Sequence, residues 1–169
     1  MHTRNFCVSV LTMKIIFCSV GKPHDAHIKA GVEDFTSRMS KYFSVQWQII
    51  SPPKISTSQS EGEIKKQEAK AILQFLHPDD YFVLLDETGK QFSSTELSNF
   101  IQQRANESAK RLVFLIGGAY GVDDTVKQKA NFTWSLSKLV FPHMLVRLIL
   151  AEQVYRSCTI MRNEKYHHK

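Results

Sequence analysis

At 169 residues the chain is long enough for one α/β domain with a real core and too short for two of ordinary size. With 43% hydrophobic and 22% charged residues it falls in the globular range, which excludes extensive disorder. The net charge of +6 is scattered instead of gathered into a basic block, so it permits an anionic partner such as RNA without requiring one.

The chain opens with Arg4 and the mixed stretch Phe6 to Leu11, a weak signal-peptide pattern. Val8 to Val20 runs straight into a strand-like segment with no small-residue cleavage site, and Met13-Lys14 reads as a natural start. Residues 1–12 are therefore expected to be an N-terminal extension, disordered or added by an upstream start, and residues 13–169 a single domain. Lys14 to Val20 is a β-rich apolar run ended by Gly21-Lys22-Pro23, and Val45 to Ile50 is another, ended by Ser51-Pro52-Pro53. Between them Ala26, Val32, Phe35 and Met39 recur at helical spacing, with Asp25 as N-cap.

Glu61 to Leu76 predicts a second helix, its apolar stripe formed by Ile64, Ala71, Ile72 and Phe75. Tyr81 to Leu85 is a continuous apolar strand, followed by a polar loop, Asp86 to Lys90. Ser93 and Glu96 form a capping box that opens a helix running to about Asn106. Arg111 to Ile116 is the next buried strand. After the glycine cluster Gly117-Gly118-Ala119-Tyr120-Gly121 come a short helix near Asp123 to Ala130 and a brief strand, Thr133 to Leu136. Pro142 suits the first turn of a last helix from about His143 to Cys158, which leaves a polar tail, Arg162 to Lys169. The last helix is apolar on more than one side, so it is buried wholly in its own domain or packs on a second subunit.

Alternating strands and helices imply a mainly parallel sheet with helices on both faces, in which ligands bind beyond the C-terminal ends of strands. That rule selects three loops: Asp86 to Lys90, Gly117 to Gly121, and Ser137 to His143. The glycine cluster lets backbone approach a ligand, or simply makes a tight strand-to-helix turn. It lacks the order of a dinucleotide fingerprint, and no P-loop occurs anywhere, which removes nicotinamide and nucleotide-hydrolase readings. Leu136 to Phe141 could wrap a purine with backbone hydrogen bonds and aliphatic walls, or be an ordinary connection.

His143 begins a helix, where the dipole disfavours an imidazolium, and Arg147 lies one turn on; together they could orient a base or hold a phosphate, or His143 could be structural. The tail Tyr166-His167-His168-Lys169 offers a ring for stacking on a base, imidazoles and a cation, or is a mobile terminus. Its paired histidines lack other ligands at metal spacing, so no metal is expected. Three cysteines, Cys7, Cys18 and Cys158, form no CxxC pair and fit a reducing compartment, hence a cytoplasmic location. Apolar runs such as Leu112 to Ile116 fall far short of the roughly twenty residues of a membrane span, so no transmembrane helix is expected.

Taken together, Leu84-Leu-Asp-Glu-Thr-Gly-Lys90, Phe114-Leu-Ile-Gly-Gly-Ala-Tyr-Gly121, Trp134-Ser-Leu-Ser-Lys-Leu-Val-Phe-Pro-His143, the stretch Val146 to Arg156 and the terminal Tyr-His-His-Lys strongly resemble the ribosomal RNA large subunit methyltransferase H family. The resemblance covers essentially everything from Met13 onward. It implies a SPOUT α/β fold with a C-terminal trefoil knot, something periodicity would not propose because knots are so rare. It implies a homodimer and S-adenosyl-L-methionine as cofactor, held by Leu85, Gly117, Leu136, Ser137, Lys138, Leu139, Val140 and Phe141. The reaction implied is methyl transfer to N3 of a pseudouridine in a hairpin loop of 23S rRNA within the assembled ribosome, with His143, Arg147, Tyr166 and His167 as catalytic candidates. The chain departs from the pattern in its first twelve residues and at Met144, where a polar residue or proline is expected. A SPOUT methyltransferase acting on tRNA and a non-catalytic ribosome-binding assembly factor are the alternatives.

Overall fold

Five strands form one sheet in the order β2-β1-β4-β3-β5, every neighbouring pair parallel, in the computed structural model, which describes residues 12–52, 54 and 59–166. In chain order the elements are β1 (Lys14–Val20), α1 (Ala26–Met39), β2 (Ser44–Ile50), α2 (Glu61–Phe75), β3 (Asp80–Gln91), α3 (Ser94–Asn106), β4 (Arg111–Ile116), α4 (Asp124–Lys129), β5 (Phe132–Ser135) and α5 (His143–Met161). The expected extension, residues 1–12, lies outside the described residues except for Thr12.

Strand parity sorts the core into two layers, because successive side chains leave a strand on opposite faces. Ile15, Phe17, Val83, Leu112, Phe114 and Ile116 pack with Met39, Leu97, Ile101, Leu150 and Val154 of α1, α3 and α5. Ile16, Cys18, Phe82, Leu84, Val113 and Leu115 face the other way, onto Ala69, Ile72 and Val126 of α2 and α4. Helices thus cover both faces, which is why the three inner strands read as continuous apolar runs.

The caps expected at Asp25 and Ser93 are present: Asp25 accepts from the Ile28 N–H at 3.1 Å, and Ser93 and Glu96 form the reciprocal capping box. A second such box, Ser60 with Glu63, starts α2. Within α2 the buried stripe runs Ile64, Glu68, Ala69 and Ile72; Ala71, expected in it, is half-buried.

Two expectations about the C-terminal half need correction. Asp86 to Lys90 is not a free loop, for β3 continues to Gln91, and Leu85 and Lys90 both register against Trp134 with residues 86–89 bulged between them. The Asp86 carboxylate closes that bulge by accepting from the Thr88 N–H and hydroxyl at 2.9 and 2.6 Å. Gly89 is then pressed on β5 so tightly that a Cβ would lie 2.7 Å from the Thr133 carbonyl. Secondly, β5 ends at Ser135, which places Leu136 in the following loop, while α5 extends past Cys158 to Met161. Helix α5 packs on both α1 and α3, which accounts for much of its all-round apolar surface, and Leu148 fits over Gly31 of α1.

Candidate active site

The bulge within β3 and the C-terminal ends of β4 and β5 border a cavity of about 490 Å³. Its walls are the three segments that the strand-end rule selects: the 86–88 bulge, the glycine loop 117–121, and residues 135–143 leading into α5. Of the residues expected to hold the cofactor, Leu85, Gly117, Leu136, Ser137, Leu139, Val140 and Phe141 line this cavity. Lys138 is exposed and stands outside it.

Each wall is fixed locally. Gly117 has no room for a side chain, since a Cβ would meet Val122 Cγ1 at 2.6 Å, and Gly121 holds a φ of +79° that closes the turn with its N–H on the Gly118 carbonyl at 3.0 Å. In the 135–141 loop the Ser135 hydroxyl donates to the Ser137 carbonyl at 2.8 Å, and the Ser137 hydroxyl accepts from the Leu139 N–H at 3.0 Å. Leu139 and Val140 are left 69% and 79% exposed, an apolar lip that its own domain does not cover.

The cavity carries few charges. Burial pushes the Asp86 carboxyl up, yet the two hydrogen bonds from Thr88 and the nearby Lys127 outweigh it and hold the group below its usual range. Glu87 and Lys127 also line the walls. Buried Trp134 lines the cavity too, and its indole N–H has no hydrogen-bond partner among the described residues. Size, glycine-built backbone walls and aliphatic contacts suit an adenosine-bearing ligand.

The four catalytic candidates do not converge. His143 lines the cavity, and burial followed by the charge of Arg147 lowers its pKa from the usual 6.5, which favours the neutral ring. Arg147 turns away from the cavity. It is 1% exposed, and its Nε donates to the Ser19 hydroxyl at 3.0 Å and its Nη1 to the Lys22 carbonyl at 2.9 Å, next to His24 Nδ1 at 3.3 Å. Burial lowers its pKa, opposed by the more distant charge of Asp25. Arg147 therefore ties the start of α5 to the turn after β1, where Gly21 at φ +138° leaves room for its Nη2.

Tyr166 lies toward the other end of α5, its ring 4.9 Å from that of Tyr155, its hydroxyl donating to Glu152 at 3.1 Å and the Arg156 guanidinium 4.9 Å from its centroid. Glu152 lies nine positions beyond His143 on α5, roughly 13 Å along the axis. Glu164 anchors the same segment to the turn between α1 and β2, accepting from the Tyr42 hydroxyl at 2.6 Å. His167 lies outside the described residues.

Sequence reasoning missed Ser19, Lys22 and His24 around Arg147, and Glu68 beneath the glycine loop. Only the Gly21-Lys22-Pro23 turn could have pointed to the first group, because strand-end glycines mark backbone that other groups approach closely.

The model of the family described as predicted SPOUT methyltransferases matches residues 13–167. A protein of Cytophaga hutchinsonii named ribosomal RNA large subunit methyltransferase H is 44% identical over 92% of this chain and all of its own length. A protein of the same name from Christiangramia forsetii is 40% identical over 94% of this chain and all of its own length. Among solved structures, a probable methylase family protein from Haemophilus influenzae superposes with a TM-score of 0.54 at 10% identity, covering 94% of this chain and 71% of that one. With its five-stranded parallel sheet and its match over nearly the whole chain, this protein belongs to the SPOUT methyltransferase family.

Proposed function

We propose that the chain is an S-adenosylmethionine-dependent 23S rRNA methyltransferase that modifies N3 of a pseudouridine in a hairpin loop of the assembled ribosome. The observation that carries this is the cavity at the β3 bulge and the ends of β4 and β5, where the three family-like segments meet. Relatives named for large-subunit RNA methylation, aligned over their whole length, support the target class.

When bound, S-adenosylmethionine supplies an electrophilic methyl group. The apolar Leu136, Leu139, Val140 and Phe141 would hold the adenosine portion, and the backbone of Gly117 would approach it closely. The pseudouridine N3 must lose its proton to expose a lone pair. His143 at the cavity wall, kept neutral by burial and by Arg147, takes that proton. Arg147 positions His143 and the turn after β1 without reaching the reacting atoms.

The protein acts in this reading as a homodimer in the cytoplasm, the apolar lip Leu139-Val140 being covered by the partner subunit, and the tail from Tyr166 through His167 serving the partner's cavity. Anchoring of Glu164 and Tyr166 far from the chain's own cavity supports that arrangement. The trefoil knot is part of this reading through the family match over residues 13–167. Residues 13–169 form the methyltransferase domain in this reading. No helix among the described residues is long and apolar enough to cross a membrane.

The test is incubation with labelled S-adenosylmethionine and, in parallel, assembled ribosomes, separate subunits and free tRNA. Label confined to 23S rRNA of assembled ribosomes is expected. Label in tRNA alone, or cofactor binding with no transfer to any RNA, overturns the proposal.

A further inference from the structure

Glu68 is 6% exposed on the buried side of α2. Its carboxylate fills the space beside Gly118, where a Cβ would fall within van der Waals overlap of both oxygens. Gly118 in turn lines the cofactor cavity, so a single residue without a side chain separates the carboxylate from the cavity. Among the described residues Glu68 has no hydrogen-bond or ion-pair partner, and burial is the sole cause that raises its pKa. A purely packing role at this largely buried position would be served better by an apolar side chain of similar size.

We infer that Glu68 is a positioning residue whose charge, acting through the Gly118 peptide, makes the cavity select the cationic methyl donor over its neutral thioether product. The inference rests on the cofactor reading above. S-adenosylmethionine carries a sulfonium charge that S-adenosylhomocysteine lacks, and the two otherwise share adenosine and amino-acid groups. A negative charge held behind a thin wall favours the first and leaves the second nearly unaffected. Product release is thereby eased without loosening the contacts to adenosine. Asp86 and Glu87, the other acids at the cavity, are placed differently: Asp86 is committed to Thr88 and neighbours Lys127, and Glu87 is exposed.

The test is calorimetric binding of S-adenosylmethionine, S-adenosylhomocysteine and sinefungin, which replaces the sulfonium by a cationic amine centre, to wild-type protein and to Glu68→Gln at pH 8. Glu68→Gln keeps the shape and removes the charge. Both cationic ligands are expected to weaken by roughly fivefold or more, with S-adenosylhomocysteine changed less than about twofold. Equal weakening of all three would mean a structural buttress and would overturn the inference, as would no change in any of them. Should Glu68→Gln fail to fold, Glu68→Asp, which keeps the charge but withdraws it from Gly118, is expected to narrow the same preference; an unchanged ratio of affinities overturns the inference. Wild-type protein that binds none of the three ligands would instead sink the cofactor reading itself.

Discussion

His143 and Arg147 stand one turn apart on α5, yet only the histidine reaches the cavity, while the arginine is spent on Ser19 and the turn after β1. The pair works in series: burial, reinforced by the charge of Arg147, lowers the pKa of the group that faces the cavity. This separates two roles that spacing alone would assign together.

Replacing Arg147 by Met keeps much of the side-chain stem and removes the charge. The pKa of His143 should rise, because one of its two depressing influences is gone. The loss of hydrogen bonds to Ser19 and Lys22 should also cost about 2 kcal/mol of stability. An NMR titration of the His143 ring checks the first outcome and urea unfolding the second; an unmoved titration would show that the two groups are not coupled.

His143→Ala should lower methyl transfer by roughly a hundredfold or more while cofactor affinity stays within a few-fold. Single-turnover rates with ribosomes, beside calorimetric binding, make the comparison. Loss of binding with little loss of rate at saturating cofactor would assign His143 to the cofactor instead.

The pH dependence of stability has a defined sign. His24 and His143 have folded-state pKa values below the ordinary 6.5, in both cases through burial first and Arg147 second. As acid is added the unfolded chain binds these protons before the folded one does. Their contribution is therefore intact above about pH 6.5 and is lost as the pH falls through that value toward the folded-state values. Melting temperatures measured between pH 7.5 and 5.5 should fall, and fall less in Arg147→Met.

Gly89→Ala should destabilise the fold by about 2 kcal/mol or more, because the added methyl group meets the backbone of Thr133 and Trp134 and not a side chain that could yield. Gly62→Ala is the control, since its Cβ would have only Ser60 Oγ nearby, at 4.0 Å. Equal stability of both variants would show that β5 adapts.

Much of this architecture was legible because strands buried on both faces leave continuous apolar runs and helices announce their caps, as Asp25 and Ser93 do. The bulge at residues 86–89 was not, for Asp-Glu-Thr-Gly-Lys reads as a loop and only the pairing of Lys90 with Trp134 across the sheet makes it a strand. The three walls of the site could be placed from strand ends, but direction could not: one turn of helix separates a residue that faces the cavity from one that faces β1. Glu68 was illegible for a related reason, since a glutamate on a polar helix signals solvent until Gly118 is seen to occupy the other side.

Use of the partner's tail can be checked by complementation. A variant carrying His143→Ala and one truncated before Tyr166 should each be inactive alone, and mixed dimers should regain activity, because one cavity with His143 then meets one intact tail. A tail that served its own cavity would give no recovery.

The most direct measurement is mass spectrometry of nucleosides from 23S rRNA after wild-type protein, and separately His143→Ala, has acted on assembled ribosomes lacking the modification. The account predicts 3-methylpseudouridine with the wild type and at most a trace with the variant. A methylated nucleoside other than this one, or equal product from both proteins, would contradict it.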